Sequence, residues 1–203
     1  MSMLYAVGLT GGISSGKSLA ASLLEPYFQL VDADLLVHEL YESHQGLQQS
    51  IQDRFGDHCV VDGVVQRKEL RKIVFDDPAL LKELNGIVHP IVGAELHSRI
   101  QNARKSQRST LFAIPLLFEN AWQEHLDCTL LIACDMQTQI ERVMKRDGSS
   151  ELEARNIIQS QMSLEKKKEL ADFCVDNSSS VQLFQEKLIE WYSSLSSLPS
   201  AGS

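Results

Sequence analysis

The stretch GLTGGISSGKSLA, Gly8–Ala20, decides how the rest of this chain is read. Before it lies LYAVGL (Leu4–Leu9), a short apolar run ended by glycines. After it, KSLAASLLEPYF keeps helical spacing until Pro26, which a helix interior does not tolerate. The first predicts a buried strand of a parallel sheet, the second a helix. Between them, Gly11-x4-Gly16-Lys17-Ser18 fits the phosphate-binding P-loop pattern, in the strand-then-helix setting which that pattern requires. Glycine lets the backbone bend so that successive N–H groups from Gly11, Gly12, Ile13, Ser14, Ser15 and Gly16 face one concavity. The helix starting near Lys17 adds the positive end of its dipole, Lys17 brings a cation to the β- and γ-phosphates, and the Ser18 hydroxyl can coordinate Mg²⁺. A glycine-rich turn that merely precedes a helix is the alternative. The complete spacing favours a nucleoside triphosphate site.

Working outward, FQLVDAD (Phe28–Asp34) predicts a second short strand that ends in two acids, with a helical pattern from Leu35 to Gly56 and Gly56 as its C-terminal cap. CVVDGVV holds a turn at Asp62-Gly63. From Gln66 to Gln107 three helical stretches are expected, separated near Asp76-Asp77-Pro78 and at His89-Pro90. With no strand signal there, they form a helical lobe inserted into an α/β core. STLFAIPLLFE and DCTLLIACD resume the strand signal. MQTQIERVMKRD and SELEARNIIQSQMSLEKKKELA are helical, FCVDN is a last strand, and a helix covers Val181 to Tyr192. The serine-rich end, 194–203, is expected to be a frayed tail.

Strands alternating with helices give the fold class: α/β, a three-layer parallel sheet of the P-loop NTPase type. The nucleotide core is expected over 1–34 and 109–193 and the helical lobe over about 35–108.

The 203 residues carry a net charge of −8, so no global basic field advertises nucleic acid or an anionic membrane, and an anionic ligand needs local cations. The start MSMLYAVGL lacks the charged and long apolar regions of a signal peptide, and no run reaches the roughly 18 apolar residues of a spanning helix. Cys59, Cys128, Cys134 and Cys174 form no CxxC pair and are expected as free thiols in a reducing compartment, the cytoplasm. His38-Glu39 opens like a zinc-protease motif, but Glu42 stands where the second histidine would be.

Asp32 and Asp34 pose the next question. If the first two strands are parallel neighbours, both acids come beside the P-loop, and as alternate residues near a strand end they project to one side. One would orient the acceptor hydroxyl or take its proton, and the other would support Mg²⁺ through water; the alternative is a helix cap. Asp53-x-x-Gly56 matches a GTPase switch pattern, yet no NKxD motif accompanies it, so a helix end is expected. Asp135 follows an apolar run as a Walker B acid would, but Met136 follows where an ATPase usually has Glu, so Asp135 is expected as an N-cap. Cations gather in two clusters. Arg67, Lys68, Arg71 and Lys72 lie in the inserted lobe; Arg142, Lys145 and Arg146 close a helix, with Arg155 on the next. One cluster could hold acceptor phosphates and the other close over the transferring group, or both are solvated helix faces.

These residues together resemble the dephospho-coenzyme A kinase family. VGLTGGISSGKS looks like its opening, VDAD with His38 like its second-strand motif, and GVVQRKELRKIVF and LNGIVHP like its substrate lobe. IPLLFE, RVMKRD, ARNIIQSQM and ADFCVDNS complete the set in family order over about residues 4–190. Ser14, Leu19 and Ser179 depart from residues common in the family, which are Gly, Thr and Gly.

The resemblance implies transfer of the ATP γ-phosphate to the ribose 3′-hydroxyl of dephospho-coenzyme A, the last step of coenzyme A synthesis. It implies a helical lid over about 145–165 and Mg²⁺ with ATP, and casts Asp34 as base with Lys17 and the lid arginine Arg146 as catalytic partners. The ATP site would be residues 11–19 (Gly11 through Leu19) with Arg142, Arg146 and Asn177. The acceptor would meet Asp34, His38, Arg67, Arg71, His89, Glu119, Arg155 and Gln161; Ser18 and, through water, Asp32 would serve the metal. The partners are then ATP and dephospho-coenzyme A, with no nucleic acid or membrane, in a monomer or small homo-oligomer. Rival readings are a nucleoside monophosphate kinase and a nucleotide-dependent regulatory protein without transfer activity. The VDAD acids and the arginine clusters favour a kinase over the latter.

Overall fold

The computed structural model describes residues 4–195. In chain order the strands are β1 (Ala6–Gly11), β2 (Gln29–Asp32), β3 (Val60–Val61), β4 (Val64–Val65), β5 (Thr110–Ala113), β6 (Cys128–Ala133) and β7 (Phe173–Asp176). The α-helices are α1 (Lys17–Leu24), α2 (Ala33–Ser43), α3 (Gln45–Phe55), α4 (Arg67–Val74), α5 (Pro78–Ser106), α6 (Met136–Asp147), α7 (Glu151–Gln159), α8 (Leu164–Leu170) and α9 (Val181–Leu195). The described residues divide into two compact units, one built from residues 4–31 and 100–195, the other from Asp32–Arg99.

The first unit is organised by a five-stranded parallel sheet in the order β2-β5-β1-β6-β7, flanked by helices. Strand β1 pairs on one side with β5 (Val7 opposite Leu111) and on the other with β6 (Leu9 opposite Leu130). Every residue of β5 and β6 is buried, as are the first five of β1. Such unbroken apolar runs suit central strands covered on both faces. On one face Ala20, Ala21 and Leu24 of α1 and Phe184, Leu188 and Trp191 of α9 share a core cluster with Val7, Leu9, Leu111, Leu130 and Ile132. The expected neighbourhood of β1 and β2 is corrected: β5 lies between them. Burial supplies the reason. Thr110–Ala113 is buried at all four positions, whereas in β2 only Val31 is, which an edge strand tolerates.

The second unit is mainly helical, with α2 and α3 packed against the small β3–β4 hairpin. Asp62 (φ 52°) and Gly63 (φ 72°) form its turn, both with positive φ as a tight hairpin demands. The helical pattern of Leu35–Gly56 is two helices, because His44 leaves helical geometry and its Nδ1 accepts from Leu47 N–H at 2.9 Å, starting α3. Gly56 caps α3 at φ 98°. His89-Pro90 separates nothing: α5 runs straight through Pro90. The carbonyl that Pro90 leaves without its helical N–H partner belongs to Gly86, four residues back.

In the first unit the stretch SELEARNIIQSQMSLEKKKELA also divides, into α7 and α8, with Ser163 capping the second. Asp135 caps α6 by accepting from Thr138 N–H at 2.9 Å. Helix α9 continues past Tyr192 to Leu195, and residues 196–203 of the expected tail lie outside the described residues. Among the described residues no helix is long and apolar enough to cross a membrane. All four cysteines are free; Cys59, Cys128 and Cys134 are buried and Cys174 is exposed.

Candidate active site

The loop between β1 and α1 is shaped first by Gly16, the N-cap of α1 at φ 102°. This is left-handed space, and a Cβ there would also collide with Asn177 Nδ2. That amide has a function: it donates to the Ser15 carbonyl at 2.7 Å. Arg142 adds its guanidinium, Nη1 reaching the carbonyls of Ser14 (3.5 Å) and Ser15 (3.4 Å) while Nη2 donates to the Asn177 carbonyl at 3.0 Å. Ile13 is held at both ends of its backbone. Its N–H donates to Gln161 Oε1 (3.1 Å), and its carbonyl accepts from Gln139 Nε2 (3.0 Å). The carbonyls of residues 13, 14 and 15 therefore have side-chain donors. Of the expected N–H nest, Ile13 N–H is taken by Gln161 and Ser15 N–H donates to the Gly12 carbonyl at 3.1 Å, so an anion meets the other N–H groups of the loop. Ser14 takes a left-handed conformation, φ 55°. Lys17 and Ser18 open α1, at the positive end of its dipole.

Arg142 and Asn177, expected at the nucleotide, thus contact the loop backbone, and so does Gln161, expected at the acceptor. Gln139 was not singled out from sequence. Nothing local in the sequence marks it; the structure buries its amide on the helix that also buries Ile140 and Val143. The segment that carries Gln161 is itself anchored: Met162 N–H donates to Glu119 Oε1 at 3.2 Å, and the same oxygen pairs with Lys167 Nζ at 2.9 Å. Burial alone would raise the Glu119 pKa, but Lys167, a backbone hydrogen bond within Glu119 itself and the Met162 N–H hold it below the usual carboxylate range.

Lys167 is 1% exposed, a buried cation that the basic run KKK conceals. Removing one partner of a buried pair leaves the other uncompensated. Lys167→Met is therefore expected to cost about 3–5 kcal/mol and to lower Tm by on the order of 10 °C in a chain of this size. The Glu119 carboxyl has a depressed pKa when folded, so the pair's contribution is present above the usual carboxylate range and is lost as pH falls through the folded value. Calorimetry of both proteins at neutral and acid pH should show the gap narrowing in acid.

Arg146 and Arg155 are engaged locally. Arg146 forks onto Asp147 with two contacts of 2.7 Å, and Arg155 binds Glu151 Oε1 through Nε (2.9 Å) and Nη2 (2.7 Å). Both pairs are at the surface, where such contacts are weak and exchange readily for a phosphate.

In the second unit, Asp32 caps α2: its Oδ1 accepts from Asp34 N–H (2.8 Å) and Leu35 N–H (3.2 Å). Asp34 stands in the first helical turn, not in the strand, so the expected alternation along β2 does not relate the two acids. Asp34 is exposed, and its carboxylate makes no hydrogen bond or ion pair among the described residues. One turn on, the His38 Nδ1 lies 3.4 Å from Arg67 Nη1, the first residue of α4. Arg71 follows on α4 one turn later. His89 is exposed on α5, and no hydrogen bond or ion pair among the described residues joins it to this group.

The sequence matches the model of the family described as dephospho-CoA kinase over residues 5–182. It is 40% identical over 183 residues to the dephospho-CoA kinase of Oceanobacillus iheyensis, an alignment covering 89% of this chain and 92% of that one. Its fold is similar to the structure of a dephospho-CoA kinase from Campylobacter jejuni, with a TM-score of 0.77 at 26% identity over 96% of this chain and 98% of that one. A shikimate kinase from Bacteroides thetaiotaomicron shares the fold alone, at a TM-score of 0.52 and 13% identity over 97% of this chain and 100% of that one. The loop geometry built above and the match along nearly the whole sequence agree: this chain belongs to the dephospho-CoA kinase family.

Proposed function

We propose that this chain uses ATP to phosphorylate the ribose 3′-hydroxyl of dephospho-coenzyme A, which completes coenzyme A. The observation that carries the reading is the loop 11–18, its carbonyls held on Gln139, Arg142 and Asn177, in a chain of this family. The loop N–H groups other than those of Ile13 and Ser15, together with the Lys17 ammonium, bind the β- and γ-phosphates. Asp34 orients the 3′-hydroxyl and accepts its proton as the phosphorus–oxygen bond forms, while the bond to the β-phosphate oxygen breaks and ADP leaves. His38, Arg67 and Arg71 hold the acceptor. The Mg²⁺ that accompanies ATP would offset phosphate charge there. Ser18, and Asp32 through water, offer it the hard oxygen donors it takes. The free thiols fit a reducing compartment, and we place the protein in the cytoplasm.

A coupled assay of ADP release tests the reading. Mg²⁺-dependent turnover should require dephospho-coenzyme A, and equal turnover with AMP or with water alone as acceptor would overturn it. The two arginine clusters separate in the same assay. Arg146→Ala is expected to lower kcat more than it raises the KM for dephospho-coenzyme A, since a lid guanidinium that leaves Asp147 for the migrating phosphoryl acts in the transition state. Arg71→Ala should do the reverse. Swapped phenotypes would mean that the clusters have exchanged roles.

A further inference from the structure

Helix α4 carries more than its two acceptor arginines. Lys68, Arg71, Lys72, Phe75 and Asp76 line an open cavity of about 440 Å³ on the second unit. Phe75 caps the helix and is 70% exposed, unusual for a phenyl ring among cations on a solvated face. Lys72 is paired with Glu69 at 2.8 Å, while Lys68 and Arg71 make no ion pair among the described residues. Lys68, Arg71, Lys72 and Phe75 recur at i, i+3, i+4 and i+7, so they share one face of α4 and its cap, and Asp76 follows next in the chain. An exposed aromatic ring beside unpaired cations suits a ligand that carries an anion and an apolar group close together.

Dephospho-coenzyme A has that pattern. Its diphosphate is followed, after one methylene, by a carbon bearing two methyl groups, then a hydroxyl and an amide. Arg71 and Phe75 are four residues apart, about 6 Å along the helix, a span that the short step from diphosphate to dimethyl carbon can bridge. We propose that this cavity seats the start of the pantetheine arm: Lys68 and Arg71 take the diphosphate, Phe75 packs against the dimethyl carbon, and Asp76 accepts a hydrogen bond from the hydroxyl or the first amide N–H. The inference rests on dephospho-coenzyme A being the acceptor, and it makes Phe75 the residue that distinguishes this acceptor from other adenosine diphosphates.

Adenosine diphosphate ribose is the discriminating probe, since it keeps adenosine and diphosphate but has a sugar in place of the arm. In steady state, Phe75→Ala should raise the KM for dephospho-coenzyme A about tenfold and shift the inhibition constant of adenosine diphosphate ribose less than about twofold. Arg71→Ala should weaken both. Phe75→Leu, which keeps an apolar side chain, should recover most of the loss. A Phe75→Ala protein in which both constants move together, or neither moves, overturns the assignment of Phe75 while leaving the parent reaction standing. Failure of the wild-type protein to turn over dephospho-coenzyme A would instead remove the parent reading and this one with it.

Discussion

Lys17→Ala is expected to lower kcat by at least about a hundredfold, equivalent to about 2.7 kcal/mol or more of barrier. Charge spreads over the equatorial oxygens of the migrating phosphoryl group, and catalysis of such transfer is mainly positioning and electrostatic stabilisation. In the loop 11–18 the other donors are backbone N–H groups and hydroxyls, and Lys17 supplies the side-chain cation. The nearby guanidinium of Arg142 gives no replacement, because its donors are directed to the carbonyls of Ser14, Ser15 and Asn177. Loop shape should survive the change. It depends on the left-handed Gly16, on Asn177 and on the two amides that hold Ile13, none of which involves the lysine side chain. Steady-state kinetics together with a melting curve would check this. Near-normal kcat, or a large fall in Tm that accounts for the lost activity, would remove the assigned role.

Asp34→Asn is expected to cut kcat by roughly 10²–10⁴, the usual span for general acid–base catalysis, while ATP binding persists. Asparagine keeps the shape and can still hydrogen-bond to the acceptor hydroxyl, but it cannot take the proton. The neighbouring acid provides the contrast. Asp32 holds the first turn of α2 through Oδ1, and asparagine caps a helix about as well as aspartate does. Asp32→Asn therefore removes charge with little effect on the helix and should raise the Mg²⁺ concentration needed for half-maximal rate. Titrating Mg²⁺ for both variants at saturating substrates separates the two. Rescue of Asp34→Asn by excess Mg²⁺, with Asp32→Asn still impaired, would reverse the roles.

Legibility in the sequence followed the range of the forces involved. The loop pattern, the Asp62-Gly63 turn, the Gly56 cap and the Asp135 cap were all readable, because each is settled by a few adjacent residues and their φ preferences. The passage of α5 through Pro90 and the break at His44 were not readable, for the complementary reason. A proline looks like a helix stop until its surroundings are known, and a histidine gives no local sign that its ring nitrogen will cap the next helix. Gln161 was noticed through family resemblance, but its attachment to Ile13 spans 148 positions, and Gln139 reaches the same residue across 126. No periodicity reports a hydrogen bond at that separation.

The sequence by itself determined that a strand, a glycine loop and a helix N-terminus would build an anion site with Lys17 and Ser18 at its edge, since contiguous residues encode backbone curvature and dipole direction directly. Only the tertiary structure decided that β5 comes between β1 and β2, that Asp34 belongs to a helix turn capped by Asp32, and that Lys167 is a buried partner of Glu119. It alone left Phe75 exposed among the cations of α4. Strand order and burial are settled by which distant apolar surfaces cover one another, and a buried charge is tolerated only where a remote partner meets it. Those are properties of the packed chain, and no short stretch of it carries them.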